Sequence, residues 1–334
     1  MTLELDRSSA QLHPASEAVA ALDDAAREHV AADRPANTEK TYRSDWRAWC
    51  RFAAEFGIAE EAASVGTLVA FIEWMQRRGY AYKTASQRVS GTRIELRRRG
   101  IELSDADSNV VTNALLNYKR AVAESGQKRG RGKAPALLVR HLRAICHELP
   151  DTVAGRRDRA LLLIGFGIGA RRSELASLLL DDVEPCPEGL CVTVRWSKTG
   201  RPREVAVGWG THEPTCPVRA WQAWTAASGL AELTETEGVP AFQQVTRHDT
   251  LVGQALSAKG VGRIMSRLAN RAGIPGPITG HSLRVGMATE ARRAGHDDKT
   301  IAEQGGWVPG STSLHGYLRT VDRWAENALV GIGL

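Results

Sequence analysis

The sequence predicts a mainly α-helical protein in two domains with one small β element. Three observations carry this expectation. Apolar residues recur at three- and four-residue steps through most of the 334 residues. Apolar/polar alternation stands out in one place, residues 190–196 (LCVTVRW), followed by 203–207 (REVAV). Between them in order and the first set of helices, AESGQKRGRGKAP turns polar, basic and Gly-rich, which marks a linker.

The N-terminal domain is expected over residues 16–122, after a disordered tail at 1–15. A first amphipathic helix is predicted at 16–32, with Val19, Leu22, Ala26 and Val30 on one stripe. A second, 37–56, sets Tyr42, Trp46, Trp49 and Phe52 at helical steps, with Lys40, Arg43 and Arg47 between them. The aromatic stripe reads as core and the charges as a wet face. A third helix, 64–78, carries Val69, Phe71, Ile72 and Met75. The fourth, 83–99, differs: from Arg77 to Arg99 there are eight basic residues and one acid, Glu95. Ala85, Val89 and Leu96 form one stripe. Lys83, Gln87 and Ser90 form another, with Gly91 beside it. Short polar and basic side chains plus a Gly suit a helix laid into a DNA groove. A solvated basic face is the alternative, and the scarcity of acids favours DNA. A fifth helix is expected at 107–122. The linker, 123–136, holds Lys128, Arg129, Arg131 and Lys133, which would track phosphates if the flanking domains bind DNA.

The second domain is expected over 137–334. It opens with a helix at 137–148. Gly165, Gly167 and Ala170 then match a loose dinucleotide-binding pattern, but that motif needs a preceding strand and a βαβ unit. RRDRALLLIGFG reads instead as a buried helix, so the pattern is rejected. A helix at 172–180 follows Arg171, and an Arg at a helix N-terminus suits an anion. The alternating pair makes a hairpin with Lys198 at its tip. A tip Lys is commonly just exposed, but it can also reach into a groove and donate a proton. Residues 210–258 say less: a helix at 217–227, then a polar loop with Arg247 and His248. A helix at 260–272 and a final helix at 321–330, with Trp324, Ala328 and Leu329, complete the domain.

The chemistry concentrates between Gly280 and Tyr317. His281 and Arg284 stand at i, i+3, which puts both on one helix face. A proton-moving His beside an Arg that forks onto two oxygens suits a phosphodiester. Gly305-Gly306-Trp307 follows, then Tyr317 after a polar Gly/Ser/Thr turn, a candidate nucleophile in a mobile polar segment. Taken singly, an HxxR pair fits a solvated face and a Tyr fits packing.

A net charge of +6 favours an anionic partner. Five cysteines show neither a CxxC pair nor metal-ligand spacing, which points to a reducing cytoplasm. The start, MTLELDRSSAQLHP, has no apolar signal region, and no run is long enough to cross a bilayer.

In order along the chain, Arg171 in GARRSEL, Lys198 in WSKTG, His281-x-x-Arg284, Trp307 in GGW and Tyr317 resemble the tyrosine recombinase (phage integrase) family. The resemblance covers nearly the whole chain. GHSLRVG, RAGHDDKTIAEQGGW and the Trp-rich second helix place it nearest the Cre-like branch. Many members carry His where this chain has Trp307. The resemblance implies a mainly α fold: a helical core-binding domain joined to a mainly helical catalytic domain with a small β-sheet, the two forming a C-shaped clamp. It implies a site-specific recombinase that cuts and rejoins double-stranded DNA at inverted-repeat sites, through a 3′-phosphotyrosine and a Holliday junction. Arg171 and Arg284 would clamp the phosphate, His281 would hydrogen-bond it and move a proton, Trp307 would donate its indole N–H and pack the site, Lys198 would protonate the leaving 5′-oxygen, Tyr317 would attack, and Glu174 would orient the site. Neither ATP nor a metal is required. Further DNA contacts are expected from Arg43, Arg47, Lys83, Thr84, Gln87, Arg88, Ser90, Arg93, Lys128, Arg129, Arg131, Lys133 and Arg247. Residues 1–36 are too short for an arm-binding domain, which suggests a simple recombinase. The protein is expected to be a monomer in free solution and a homotetramer on two sites through a C-terminal exchange helix, in a cytoplasmic, nucleoid-associated, prokaryotic, phage or plasmid context, with no membrane. The alternatives are a type IB topoisomerase-like or hairpin-forming strand transferase, and a non-catalytic DNA-binding protein on the same fold.

Overall fold

The computed structural model describes residues 19–23, 25–26, 36–130, 132, 134–195, 202–325, 329 and 332. The expected tail at 1–15 and most of the expected first helix lie outside the described residues. The chain divides into two units, 1–132 and 133–334, a boundary inside the polar Gly-rich stretch.

In the first unit, aromatic residues at helical spacing drive the packing. The helices are α1 (Ala36–Phe56), α2 (Val65–Arg77), α3 (Tyr82–Arg98) and α4 (Asp105–Glu124). Trp49 and Phe52 of α1 are buried against Phe71 and Trp74 of α2, with Leu96, Val111 and Tyr118 closing the core. The Trp49 and Phe71 rings meet edge to face at 5.4 Å. Helix starts are capped locally. Ser64 Oγ accepts from the Thr67 amide at 3.2 Å while Thr67 Oγ1 accepts from the Ser64 amide at 2.8 Å.

One expectation for α3 is corrected. Gly91 does not open a groove-facing surface. It is buried, and a Cβ there would lie 2.3 Å from Asp45 Oδ2 of α1. Gln87 also turns to Asp45, donating to Oδ2 at 3.2 Å. The glycine lets two helices approach closely around a buried carboxylate. Burial raises Asp45 above the usual carboxylate range despite the Gln87 hydrogen bond and the Arg88 charge.

The second unit is built on α6 (Val153–Gly167), whose LLLI run is buried all round. Around it stand α5 (Val139–Glu148), α7 (Arg172–Ser177), α8 (Pro217–Ala227) and α9 (Ala258–Arg271). Strands β1 (Val183–Cys186), β2 (Gly189–Val194) and β3 (Arg203–Gly208) form an antiparallel sheet in that order. Its β2–β3 register pairs Val192 with Val205. A second antiparallel pair joins β4 (Gln243–Val245) to β5 (Leu251–Ala255). Helices α10 (Gly280–Arg293), α11 (Asp298–Gly305) and α12 (Thr312–Ala325) enclose a separate apolar cluster of Met287, Ala288, Ile301, Ala302, Trp307, Leu314 and Leu318.

Three elements differ from expectation for tertiary reasons. Helix α7 ends at Ser177 rather than 180, because the Leu178 carbonyl accepts from Ala241 N at 2.9 Å and the Leu180 amide donates to Val239 O at 2.8 Å. The polar loop around Arg247 is a hairpin turn. Asp249 takes a φ of 61° there, and its carboxylate accepts from the Val153 and Ala154 amides at 2.7 and 2.8 Å, capping α6. Tyr317 is not in a mobile polar segment before a helix at 321–330. It lies within α12, which begins nine residues earlier than expected, and Leu329 is an exposed turn residue. Ser311 starts the helix, its carbonyl accepting from His315 N at 3.1 Å, and Leu314 and Leu318 bury one turn apart on either side of the Tyr. Among the described residues, no helix is long and apolar enough to cross a membrane.

Candidate active site

The start of α10 is held rigidly. Thr279 Oγ1 accepts from the His281 amide at 3.2 Å, and Ser282 Oγ accepts from the Thr279 amide at 3.1 Å. The Leu137 amide donates to Ser282 O at 3.0 Å, and a Cβ at Gly286 would lie 2.0 Å from Leu137 O. His281 and Arg284 therefore leave a fixed backbone at the predicted i, i+3 spacing.

Their side chains do different things. His281 lies at the exposed rim, with Nε2 2.7 Å from the Tyr317 hydroxyl. Arg284 is 1% exposed. Its Nη1 donates to the carbonyls of Gly169, at 2.7 Å, and Gly305, and Nη2 to that of Gly306 at 3.4 Å. Its Cζ sits 3.6 Å from the Trp307 ring centroid. Trp307 also stands at 6.1 Å from the Tyr317 ring, edge to face. The buried guanidinium thus ties the Gly169 turn, the Gly305–Gly306 turn and one aromatic together near the Tyr.

Arg171, just before α7, is half-buried and paired with Glu174. Its amide donates to Glu174 Oε2 at 3.0 Å. The carboxylate of Glu174 thus caps the start of this short helix, beside the Arg171 guanidinium. Glu174 itself is 2% exposed. Burial pushes its carboxyl up, but Arg203, the Arg171 amide and the Arg171 side chain together hold it below the usual range.

Burial and charge together set the protonation of His281 and Tyr317. Partial burial lowers His281, and the cations Arg284 and Arg171 lower it further, so its imidazole is neutral at neutral pH. Burial raises Tyr317 against the opposing pull of Arg284 and Arg171. A neutral imidazole and a protonated phenol match an O–H···N hydrogen bond, with Nε2 assigned as acceptor on that ground. Burial and the Arg171 charge bring Arg284 down to about 9, so it remains cationic at neutral pH.

Beside this cluster lies an open basic cleft of about 970 Å³, bordered by Arg171, Arg172, Lys259, Arg263, Arg267, Asn270 and His281. Sequence reasoning missed its α9 wall, although the signal was there: Lys259, Arg263, Arg267 and Arg271 recur every four residues. It also missed Arg203 on β3, which donates to Glu174 Oε2 at 3.0 Å. An Arg in an alternating strand gives no sign of burial.

The structure brings Arg171, Glu174, His281, Arg284, Trp307 and Tyr317 into one cluster. Lys198, Arg131 and Lys133 lie outside the described residues. Arg43, Arg47, Lys83, Thr84, Gln87, Ser90, Lys128 and Arg247 are exposed. Arg88 stacks at 4.3 Å on Tyr80, and Arg93 donates to Ser108 Oγ at 2.7 Å. Arg129 folds back onto its own unit, donating to Gln76 O at 2.9 Å and Tyr118 Oη at 3.2 Å. Among the described residues, no group of three His, Cys, Asp or Glu side chains is placed to hold a metal ion.

Residues 137–322 match the phage integrase family. An integrase/recombinase XerD homologue of Selenomonas ruminantium is 29% identical over 303 residues, 88% of this chain and 84% of its own. The Cre recombinase of Escherichia phage P1 is 23% identical over 317 residues, 87% of each chain. Among solved structures, the Tn1549 transposon integrase in complex with transposon right end DNA has the same fold, with a TM-score of 0.59 at 15% identity over 90% of this chain and 96% of its own. The motif order, the mainly helical fold with its small sheets and the family match over 137–322 agree: the chain belongs to the tyrosine recombinase (phage integrase) family of DNA strand-transfer enzymes.

Proposed function

We propose that the chain is a site-specific DNA recombinase that cuts and rejoins double-stranded DNA through a 3′-phosphotyrosine link and a Holliday junction. The observation that carries this reading is the 2.7 Å contact between Tyr317 Oη and His281 Nε2 beside two arginines. In the proposed reaction Tyr317 attacks the phosphorus and its proton passes to His281. Negative charge grows on the non-bridging oxygens. Arg171, at the edge of the cleft, contacts them, and Arg284 stabilises them from below. Each such donor is worth about 3–4 kcal/mol in comparable sites. Trp307 packs the floor and Glu174 orients Arg171. Lys198 protonates the leaving 5′-oxygen. The phosphotyrosine keeps the energy of the broken bond, so rejoining needs no ATP.

The basic cleft and the exposed cations of α1 and α3 are the proposed DNA surfaces. The target is proposed to be an inverted-repeat site, bound by monomers that assemble as a tetramer on two sites. The finer assignment, a Cre-like simple recombinase, rests on GHSLRVG and RAGHDDKTIAEQGGW. The XerD homologue, more identical than Cre, makes it a question of what the purified chain does alone.

The test is covalent trapping on a nicked duplex carrying a site selected by the protein from random-sequence DNA. The wild type should form a protein–DNA adduct, and Tyr317→Phe should bind equally and form none. An adduct from Tyr317→Phe refutes the assignment. Resolved recombinants from the purified chain support the simple-recombinase reading, whereas relaxation of supercoils without recombinants favours the topoisomerase-like one.

A further inference from the structure

Arg203 opens β3 and is 10% exposed along its side chain. Its Nη2 donates to Glu174 Oε2 at 3.0 Å and to Ile168 O at 3.1 Å. Its Nε and Nη1 are buried with no hydrogen-bond partner among the described residues. The guanidinium presses on the turn after α11. A Cβ at Gly306 would lie 2.8 Å from Nη1 and 3.1 Å from Cζ, and Gly306 holds a φ of +63°.

These contacts join the two halves of the site. On one side, Glu174 holds Arg171 through its other oxygen. On the other, the carbonyl of the same Gly306 accepts from Arg284 Nη2, and Trp307 follows directly. We propose that Arg203 is a positioning residue for strand transfer, fixing Arg171 through Glu174 and fixing Arg284 and Trp307 through the Gly306 turn. The inference rests on the strand-transfer reading above. A purely stabilising role fits the geometry poorly. Two buried guanidinium nitrogens without partners among the described residues weaken the folded state, and an apolar side chain would fill the space without that cost. The charged groups around Glu174 are Arg171 on the loop before its own helix, Arg203 on β3 and Arg284 on α10. His281 and Tyr317 complete the cluster. Arg203 is the leading cause that offsets the burial of Glu174. Removing it should let that carboxyl take up a proton at higher pH and release Arg171.

The experiment compares wild type, Arg203→Met and Arg203→Lys on the selected nicked duplex, measuring DNA affinity, single-turnover adduct formation across pH, and melting temperature. Arg203→Met should bind DNA as the wild type does but form adduct about 100-fold more slowly, the scale of a misplaced catalytic group. The acid limb of its pH–rate profile should move upward. Arg203→Lys keeps the charge but not the fork, so it should recover to about tenfold below wild type with the limb in place. A folded Arg203→Lys at the full wild-type rate overturns the proposal whether or not Arg203→Met folds. So does a folded Arg203→Met with wild-type rate and profile. Absence of adduct from the wild type as well overturns the strand-transfer reading itself, and this inference with it.

Discussion

The Tyr317 hydroxyl lies 2.7 Å from His281 Nε2, and the two residues, 36 apart in sequence, come from α12 and α10. Around them, Arg171 and Arg284 act on both partners, lowering the imidazole and opposing the rise of the phenol. This pair makes the first prediction, on pH. The proposed base works only when neutral. Because its folded pKa is lowered, the neutral form persists further into acid than for a free His, near 6.5. The second-order rate constant for adduct formation, which reports the free enzyme, should therefore stay above half its maximum at pH 6.5 and fall only below it. A midpoint above 6.5 would contradict the assignment.

Gly91 makes a prediction about stability rather than binding. A Cβ at that position would lie 2.3 Å from the buried Asp45 carboxylate. Gly91→Ala should destabilise the protein by about 1–3 kcal/mol, the usual result of overpacking. Ser90→Ala, one residue earlier on the exposed side, should be nearly neutral. Chemical denaturation checks both. Unchanged stability with weakened DNA binding in Gly91→Ala would restore the groove-facing view of this helix.

The cleft wall on α9 predicts a salt effect. If Arg263 and Arg267 neutralise phosphates, Arg263→Ala should weaken binding to all DNA sequences alike. It should also reduce the slope of log affinity against log salt by about 1. A sequence-selective loss would instead indicate base contact, and an unchanged slope and affinity would remove Arg263 from the interface.

Lys198 is proposed as the acid for the leaving 5′-oxygen. General acids contribute about 10²–10⁴ in rate, so Lys198→Ala should be slowed by that order on an ordinary phosphodiester. A substrate with sulfur at the 5′-bridging position leaves without protonation and should largely restore the rate. Equal slowness on both substrates would limit Lys198 to DNA contact.

The sequence by itself determined the helical architecture of both units, because apolar residues at 3.6-residue spacing report a buried stripe wherever the partner lies. Trp49, Phe52, Ala85, Val89 and Leu96 are core as their spacing implies. The ordered set from Arg171 to Tyr317 was likewise legible, since motif order survives without knowing any contact. Tertiary structure decided what each side chain faces. Propensity made the Gly/Ser/Thr run before Tyr317 a turn, and the turn is there at 309–310, but burial of Leu314 and Leu318 with Met287 and Ile301 starts the helix at Thr312, ahead of the Tyr. Spacing made Gly91 part of an open face, while the approach of Asp45 across forty-six residues makes it a helix contact. Arg203 looked like a strand residue among others, and its role exists only because Glu174 and Gly306 meet there. Local pattern encodes periodicity and capping. Close approach between distant backbones leaves no local trace, and it is that approach which buries Arg284 and Arg203 and brings His281 to Tyr317.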